Sequence, residues 1–261
     1  MGFGLIVVGD EILSGRRQDK HFSKVVELLG ARGLQLDWAE FVGDDPPRLI
    51  ATLQRSFAGQ DIVLSCGGIG ATPDDHTRQC AGAALGLPLV LHPEGRRNIE
   101  ERIRETAREA ETGPDFDAPE HLQRLKMAEF PEGATLIPNP YNRIAGFTVR
   151  DHHFVPGFPV MAWPMIEWVL DTHYAHLFHA RAFEERSLLV FEAAEAALTP
   201  LMEALQRDYP GVRIFSLPSV GDAHNRRHIE LGVKGEPSQV AAAFAAMRSE
   251  LERRGAEIGP V

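Results

Sequence analysis

The chain has 261 residues and a formal net charge of -10 at pH 7, with 44% hydrophobic and 25% charged residues. This is the composition of a globular protein, and it excludes the disordered and collagen-like classes. The acidic balance argues against a broad nucleic-acid or anionic-membrane surface, because such surfaces need clustered Lys and Arg. The length predicts one large domain and one small one.

The cysteine content and the hydropathy indicate the compartment. Cys66 and Cys80 are the only cysteines, so we expect no disulfide framework and a location in the reducing cytoplasm. No stretch of the sequence approaches the roughly 20 apolar residues that cross a bilayer. We therefore expect no membrane partner.

The first part of the chain alternates short apolar runs with helical patterns. A buried strand is predicted over 5–8, and apolar residues then recur at i, i+3, i+4 and i+7 from Phe22, as in an amphipathic helix. A strand over 34–42, a helix opened by Pro47 and an apolar strand at 62–64 follow. This βαβαβ order predicts an α/β fold with a mostly parallel sheet.

The middle of the chain contains a charged helical pattern over 94–111 and further helical turns over 119–128. The short strand patterns at 147–149 and 154–155 predict a hairpin whose turn contains His152. We expect His152 and His153 to be solvated there. A helix is predicted to follow over 161–178.

The sequence changes character near residue 180, which divides it into predicted domains 1–179 and 180–261. The second domain shows strand, helix, strand, strand and helix patterns, which predict a small α+β (βαββα) domain of the split βαβ or KH-like kind. It contains 10 basic and 12 acidic residues of the chain's 27 and 37, so the acid excess lies mostly in the first domain. A G-x-x-G sequence at 232–235 is expected to be a tight turn, with RNA binding as the weaker alternative.

Three loops at the carboxyl ends of predicted parallel strands combine glycines with carboxylates, at residues 9–15, 43–46 and 67–77. In open α/β sheets, ligands bind at this edge. The third loop has three glycines in four residues, which permits a phosphate to approach the backbone closely, although it matches neither common nucleotide motif. Helix N-capping is the alternative role of Asp74 and Asp75.

These loops resemble the MoaB/Mog-like molybdopterin-binding domain, of the type found in the N-terminal part of competence/damage-inducible protein A (CinA). The resemblance rests on four ordered motifs, at 8–15, 42–45, 67–77 and 156–159, and the segment 129–147 is similar to the CinA type. It implies a three-layer α/β fold that binds molybdopterin or an adenylylated pterin. CinA-type members are associated with hydrolysis of the pyrophosphate bond in nucleotide compounds such as ADP-ribose.

The resemblance implies catalytic roles for Asp10, Asp44 and Asp75. Because carboxylates alone would repel a phosphate, Asp44 and Asp75 are also the predicted ligands of Mg²⁺ or another divalent cation. Lys20 or Arg16 is expected to neutralise a second phosphate. The predicted ligand-binding residues are Gly9, Glu11, Ser14, Gly15, Lys20, Gly67, Gly68, Gly70, Asp74, Thr77, Asn139, Pro156, Gly157 and Pro159.

Two functions are compatible with these residues. The first is a metal-dependent pyrophosphatase or adenylyl-transfer enzyme that acts on a molybdopterin or nucleotide-type ligand. The alternative is a non-catalytic molybdopterin- or nucleotide-binding protein of molybdenum cofactor metabolism. The enzyme is the preferred interpretation, and two departures from the family keep the alternative open: residues 180–261 are too few for the C-terminal amidase domain that CinA proteins often carry, and the first loop continues as the basic segment 16–20. Self-association as a dimer or trimer is expected.

Overall fold

The structure is a computed structural model that describes residues 2–180, 184–221 and 226–261. The chain divides into two compact units, Met1–Phe178 and His179–Val261. Within the described residues, no helix is both long enough and apolar enough to cross a membrane.

The first unit alternates strands and helices along most of its length. Its elements are β1 (Phe3–Val8), α1 (Asp10–Leu13), α2 (His21–Gly30), β2 (Leu36–Val42), α3 (Pro46–Phe57), β3 (Ile62–Cys66), α4 (Thr77–Leu85), β4 (Leu89–Leu91), α5 (Pro93–Glu109), α6 (Pro119–Leu125), β5 (Glu129–Pro131), β6 (Thr135–Ile137), β7 (Gly146–Val149), β8 (His152–Val155) and α7 (Pro159–His173).

The central sheet of this unit has six strands in the order β2-β1-β3-β8-β7-β6. Strand β1 pairs in parallel with β2 and β3, and β3 pairs in parallel with β8, whereas β7 is antiparallel to both β6 and β8. The predicted mostly parallel sheet is confirmed. Because the parallel strands end at the same edge, the three glycine-rich loops that follow β1, β2 and β3 lie together.

Helices cover both faces of the sheet and produce the expected three layers. On one face, α2 and α7 pack their buried residues, such as Leu29 and Ile166, against β1 and β3. On the other face, α3 and α4 contribute residues such as Leu53 and Ala81. All residues of β1 are buried, as is typical of a strand covered on both sides. The free thiols of Cys66 and Cys80 are buried as well.

The pair β4 and β5 forms a separate two-stranded sheet that the sequence patterns do not reveal. Each of these strands has only three residues, which is too short for an alternating pattern to be recognised. Nearby, α5 packs Ile99 and Ile103 against Ala128 in a small satellite core.

The prediction that His152 and His153 are solvated is wrong. Strand β8 begins at His152 and lies between β3 and β7, so both histidines are only 3% and 2% exposed. The His152 Nε2 atom lies 2.6 Å from the Ser56 hydroxyl, and the His153 Nε2 atom lies 2.7 Å from the Tyr174 hydroxyl. Both imidazoles are therefore shielded from solvent, because β8 is an interior strand of the sheet.

The second unit contains β9 (Glu184–Phe191), α8 (Glu195–Asp208), β10 (Val212–Ser219), β11 (His228–Gly235), α9 (Pro237–Arg253) and β12 (Ile258–Gly259). Its sheet has the order β10-β11-β9-β12, and all its pairs are antiparallel. This is the split βαβ arrangement, completed by a short last strand that the sequence patterns do not show. Its core includes Leu201 from α8 and Met247 from α9.

The buried histidines predict that the free energy of unfolding decreases at acid pH. Burial, reinforced by nearby Arg150, lowers the pKa of His152 from 6.5 to about 4, and burial with His173 lowers that of His153 to about 3. The unfolded chain takes up these protons near pH 6.5, whereas the folded chain does so only near pH 4 or below. Stability is therefore full above pH 6.5 and declines toward pH 4, by at most about 1.4 kcal/mol per pH unit for each histidine.

Urea unfolding at pH 7, 6 and 5 measures this slope. His152→Asn should reduce the slope, whereas the control His176→Asn, at an exposed position, should leave it unchanged. A free energy of unfolding that stays constant between pH 7 and 5 would contradict the assignment.

Candidate functional site

The carboxyl edge of the parallel sheet opens into a cleft of about 680 Å³. The three glycine-rich loops form its walls, together with the segments that follow β6 and β8. The predicted ligand residues that line the cleft are Gly9, Glu11, Asp44, Gly67, Gly68, Gly70, Asp74, Asp75, Asn139, Pro156 and Gly157. Arg16 and Arg17 line it too, so basic and acidic residues share one cavity.

Six predicted residues are not in the lining of this cleft: Asp10, Ser14, Gly15, Lys20, Thr77 and Pro159. For Asp10 and Thr77, the structure shows a supporting role, described below. The direct ligand contacts proposed for all six stay predictions.

The third loop packs against the end of β1 so closely that only glycine fits. A Cβ atom at Gly67 would lie 2.2 Å from the carbonyl oxygen of Val8, and one at Gly68 would lie 2.2 Å from Oγ1 of Thr77. Both glycines also have positive φ angles, of 110° and 67°, which other residues rarely adopt. The loop backbone therefore forms part of the cleft wall directly.

Thr77 supports this loop from the protein interior. Its side chain is fully buried, its hydroxyl donates to the Gly67 carbonyl at 3.0 Å, and its N–H donates to the Gly68 carbonyl at 3.0 Å. Thr77 therefore positions the glycine loop.

A buried arginine that the sequence patterns do not identify completes the support. The Arg78 guanidinium donates to the carbonyl oxygens of Ile69 and Gly70, both at 2.6 Å, and the residue is only 3% exposed. Burial lowers the pKa of Arg78, while the nearby carboxylates of Asp75 and Glu129 favour its charged form. Because Arg78 holds two loop carbonyls, these oxygens are not free to repel an anion in the cleft.

The first and second loops are joined by two reciprocal hydrogen bonds. The Asp10 N–H donates to Oδ2 of Asp44 at 2.8 Å, and the Asp44 N–H donates to Oδ1 of Asp10 at 3.1 Å. Residues 10–13 form the short helix α1 within the predicted loop, which places the Asp10 N–H at a helix start. Asp10 thus fixes the position of Asp44, one of the carboxylates that line the cleft.

Negative charge is concentrated around Asp44. Partial burial raises the pKa of Asp44, an effect opposed by the hydrogen bond from Asp10 and increased by repulsion from Asp10, Glu11 and Asp74. A bound cation would relieve this repulsion.

Asp75 has a different environment from Asp44. Its Oδ2 atom accepts hydrogen bonds from the N–H of Thr72 at 2.9 Å and from the Thr72 hydroxyl. It is not among the carboxylates that raise the pKa of Asp44, whereas Asp74 is. His76, not Asp75, is the N-cap residue of α4, and no side chain caps this helix. Asp75 therefore bonds within the turn at Thr72 and does not cap the helix. The catalytic and metal-binding roles of Asp75 stay predictions.

The opposite wall is held by local polar contacts of Asn139 and by a long-range contact of Gly157. Asn139 donates to Oδ1 of Asn142 at 2.8 Å and to the Ile144 carbonyl at 2.9 Å. Gly157 packs against Gly67, and its carbonyl oxygen lies 3.1 Å from Nε2 of the buried His21. Sequence patterns miss His21 because its partner is 136 residues away.

Comparisons with known proteins identify the family of this chain. A family model described as a probable molybdopterin binding domain matches residues 4–176. A CinA-like protein of Anaeromyxobacter sp. is 30% identical over 250 residues, which cover 88% of this chain and 58% of that protein. A CinA-like protein of Citrifermentans bemidjiense is 31% identical over 207 residues, which cover 78% and 47%. The chain therefore spans about half the length of the curated relatives that it matches.

A solved structure shows a similar fold. The crystal structure of the protein CinA with unknown function from Thermoplasma acidophilum has a TM-score of 0.55 and 24% sequence identity, and the match covers 66% of this chain and 98% of that one. This similarity concerns the fold alone.

The packing of the glycine loop predicts the effect of Gly67→Ala. The new Cβ atom would overlap the Val8 carbonyl, and the positive φ angle alone costs about 1–3 kcal/mol in a residue other than glycine. We expect a larger loss of unfolding free energy than for Gly133→Ala, which has a φ of 83° but open space around it. Equal losses in denaturant titrations of the two variants would contradict the close packing.

Proposed function

The chain belongs to the molybdopterin-binding domain family, and we propose that its cleft binds a phosphorylated pterin or nucleotide and acts on a phosphoanhydride bond in it. One observation carries the proposal: the glycine loop, two arginines and the carboxylates around Asp44 face the same 680 Å³ cavity. Metal-dependent hydrolysis is the reaction that these groups support best.

Phosphate binding is supported by the glycine loop. Residues without side-chain atoms let phosphate oxygens reach backbone N–H groups, which are effective anion donors. Arg78 engages the carbonyls of Ile69 and Gly70, and Arg16 and Arg17 add positive charge from the first loop. Arg16, proposed from the sequence, is thus better placed than Lys20 to neutralise a phosphate.

A divalent cation fits the carboxylates of the cleft. Within residues 2–180, 184–221 and 226–261, no three His, Cys, Asp or Glu side chains form a complete metal-binding group. Mg²⁺ is usually held by one or two carboxylates together with waters and substrate phosphates, so such a group is not required. Asp44 would hold the cation, with Glu11 and Asp74 nearby, and the cation would supply neutralisation of phosphate charge.

In hydrolysis, a water oxygen forms a bond to one phosphorus atom, the bridging P–O bond breaks, and the water gives up a proton to solvent, which gives two monophosphate products. The charge on the phosphoryl oxygens must be stabilised during this exchange. Loop N–H groups, Arg16 and Arg17 are the groups of this chain that can do so, and they hold the phosphates in a fixed orientation.

The alternative function, binding without turnover, uses the same cleft. Incubation with ADP-ribose and Mg²⁺ followed by ³¹P NMR separates the two, because only an enzyme converts the diphosphate signals into those of monophosphates. Retained diphosphate together with saturable binding would favour a carrier.

Self-association is also part of the proposal. Phe22 and Val26 are exposed one helical turn apart on α2, and Phe41 is exposed on the edge strand β2. A second copy could cover these apolar groups, and light scattering measures whether it does.

Asp44→Asn should lower Mg²⁺-dependent turnover of ADP-ribose by about 100-fold or more, because it removes the charged oxygen that would hold the cation. The matched control is Asp45→Asn. Asp45 caps α3 by accepting a hydrogen bond from the Arg48 N–H, a role that asparagine also performs well. Loss of turnover in both variants, or in neither, would contradict the assignment of Asp44.

Arg78→Met should weaken binding of inorganic pyrophosphate about tenfold, equivalent to about 1.4 kcal/mol. The loop carbonyls would lose their hydrogen-bond donors, and the loop would lose the positive charge buried beneath it. Isothermal titration calorimetry measures this affinity. Arg55→Met is the control, since Arg55 is an exposed residue paired with Glu40. Unchanged pyrophosphate affinity in a folded Arg78→Met protein would exclude the supporting role.

A further inference from the structure

The five consecutive carbonyl groups of residues 67–71 in the glycine loop all accept hydrogen bonds. Thr77 holds the first two and Arg78 holds the next two. The fifth, on Ala71, accepts a hydrogen bond from Nε2 of Gln123 at 2.9 Å. Gln123 lies on α6, 52 residues further along the chain, and it is outside the four motifs that resemble the family. The bond therefore connects α6 to the loop that lines the cleft.

The N–H groups of residues 68–71 are unpaired, in contrast to the carbonyls. In the part of the chain that the structure describes, none of these four groups donates a hydrogen bond to another protein group. A trans peptide is planar, with its C=O and N–H pointing in opposite directions, so a bond to the carbonyl of one residue also fixes the N–H of the next. Thr77 and Arg78 thereby fix four unpaired donors, and successive donors of this kind bind anions.

Gln123 fixes the next peptide in the same way. The N–H of Thr72 belongs to the peptide whose carbonyl is that of Ala71, and it donates to Oδ2 of Asp75 at 2.9 Å. Asp75 lines the cleft. Contacts therefore run from α6 through one peptide group to a carboxylate of the site.

We propose that Gln123 is a positioning residue for the phosphates of the ligand, because it fixes the end of the glycine loop and, through Thr72, the carboxylate of Asp75. The inference rests on the proposed function, and it adds a helix whose attachment to the loop depends on the ligand. Bound phosphates require an ordered loop, so the phosphates and Gln123 favour the same arrangement of it.

The attachment of α6 is weak enough to respond to a ligand. None of the residues of α6 is buried, and Leu125 is only partly buried against the satellite core. Gln123 is exposed, so water competes for its N–H groups. Segments that bury few apolar groups open locally at little cost in free energy. By thermodynamic linkage, a ligand that binds more tightly when Gln123 is attached also favours the attached state of α6, by the same factor.

The first test removes the donor and measures the affinity for inorganic pyrophosphate in Mg²⁺ buffer by calorimetry. Gln123→Met keeps the length and the helix propensity of the side chain but has no N–H group. The matched control is Leu122→Met, at the adjacent exposed position of α6. We expect Gln123→Met to bind pyrophosphate about three- to tenfold more weakly, as for the loss of one neutral hydrogen bond, and Leu122→Met to bind it within about twofold of the unchanged chain.

Amide hydrogen exchange distinguishes positioning from a merely structural contact. In the unchanged chain and in Leu122→Met, saturating pyrophosphate should slow the exchange of the α6 amides by about the same three- to tenfold factor. In Gln123→Met, pyrophosphate should leave the exchange of these amides unchanged. A merely structural contact would give exchange rates in α6 that do not depend on the ligand.

The outcomes separate the two proposals. If the unchanged chain does not bind pyrophosphate, the proposed function fails and the role of Gln123 fails with it. If pyrophosphate binds but Gln123→Met binds it equally well, or if it does not slow exchange in α6, the role of Gln123 alone is overturned. An equal loss of affinity in Leu122→Met would also overturn it, because that variant keeps the donor. Circular dichroism confirms that each variant is folded.

Discussion

The contact between the Gly67 backbone and the Val8 carbonyl sets the shape of the whole site. Gly67 has no Cβ atom, and so the third loop can lie directly on the end of β1. A Cβ atom there would lie 2.2 Å from the Val8 oxygen. Thr77 and Arg78 then hold the loop carbonyls from the inside. Gly157 packs on the same glycine and brings the segment after β8 to the cleft. The site therefore depends on a close backbone packing that no larger residue permits.

The proposed binding of a phosphorylated ligand by an acidic protein depends on how charge is distributed in the cleft. The net charge of -10 argues against a broad polyanion-binding surface, but it says little about one cavity. In the cleft, Arg16 and Arg17 accompany the carboxylates, and Arg78 lies beneath the loop. Burial raises the pKa of Asp44 and repulsion from neighbouring carboxylates raises it further, which is why we propose a divalent cation beside the phosphate there. We therefore propose separate tasks for the positive and the negative groups of the cleft.

Sequence patterns predict the features that depend on local chemistry. The parallel sheet follows from apolar periodicity, and the position of Gly67 and Asp44 in the cleft follows from loops at the ends of parallel strands. The features that sequence patterns miss depend on tertiary contacts. Arg78 has no apolar character to reveal its burial, His152 is buried by the strands on either side, and β12 is two residues long. Each of these needs partners that are distant in the sequence.

The central claim is that the backbone of the glycine loop receives the phosphates of the ligand. Amide chemical shifts in ¹⁵N-labelled protein test it directly during a titration with pyrophosphate and Mg²⁺. The amides of Gly67, Gly68 and Gly70 should show the largest shift changes, saturating together with those of Arg16 and Arg17. Shift changes centred elsewhere, with these amides unaffected at saturation, would contradict the claim.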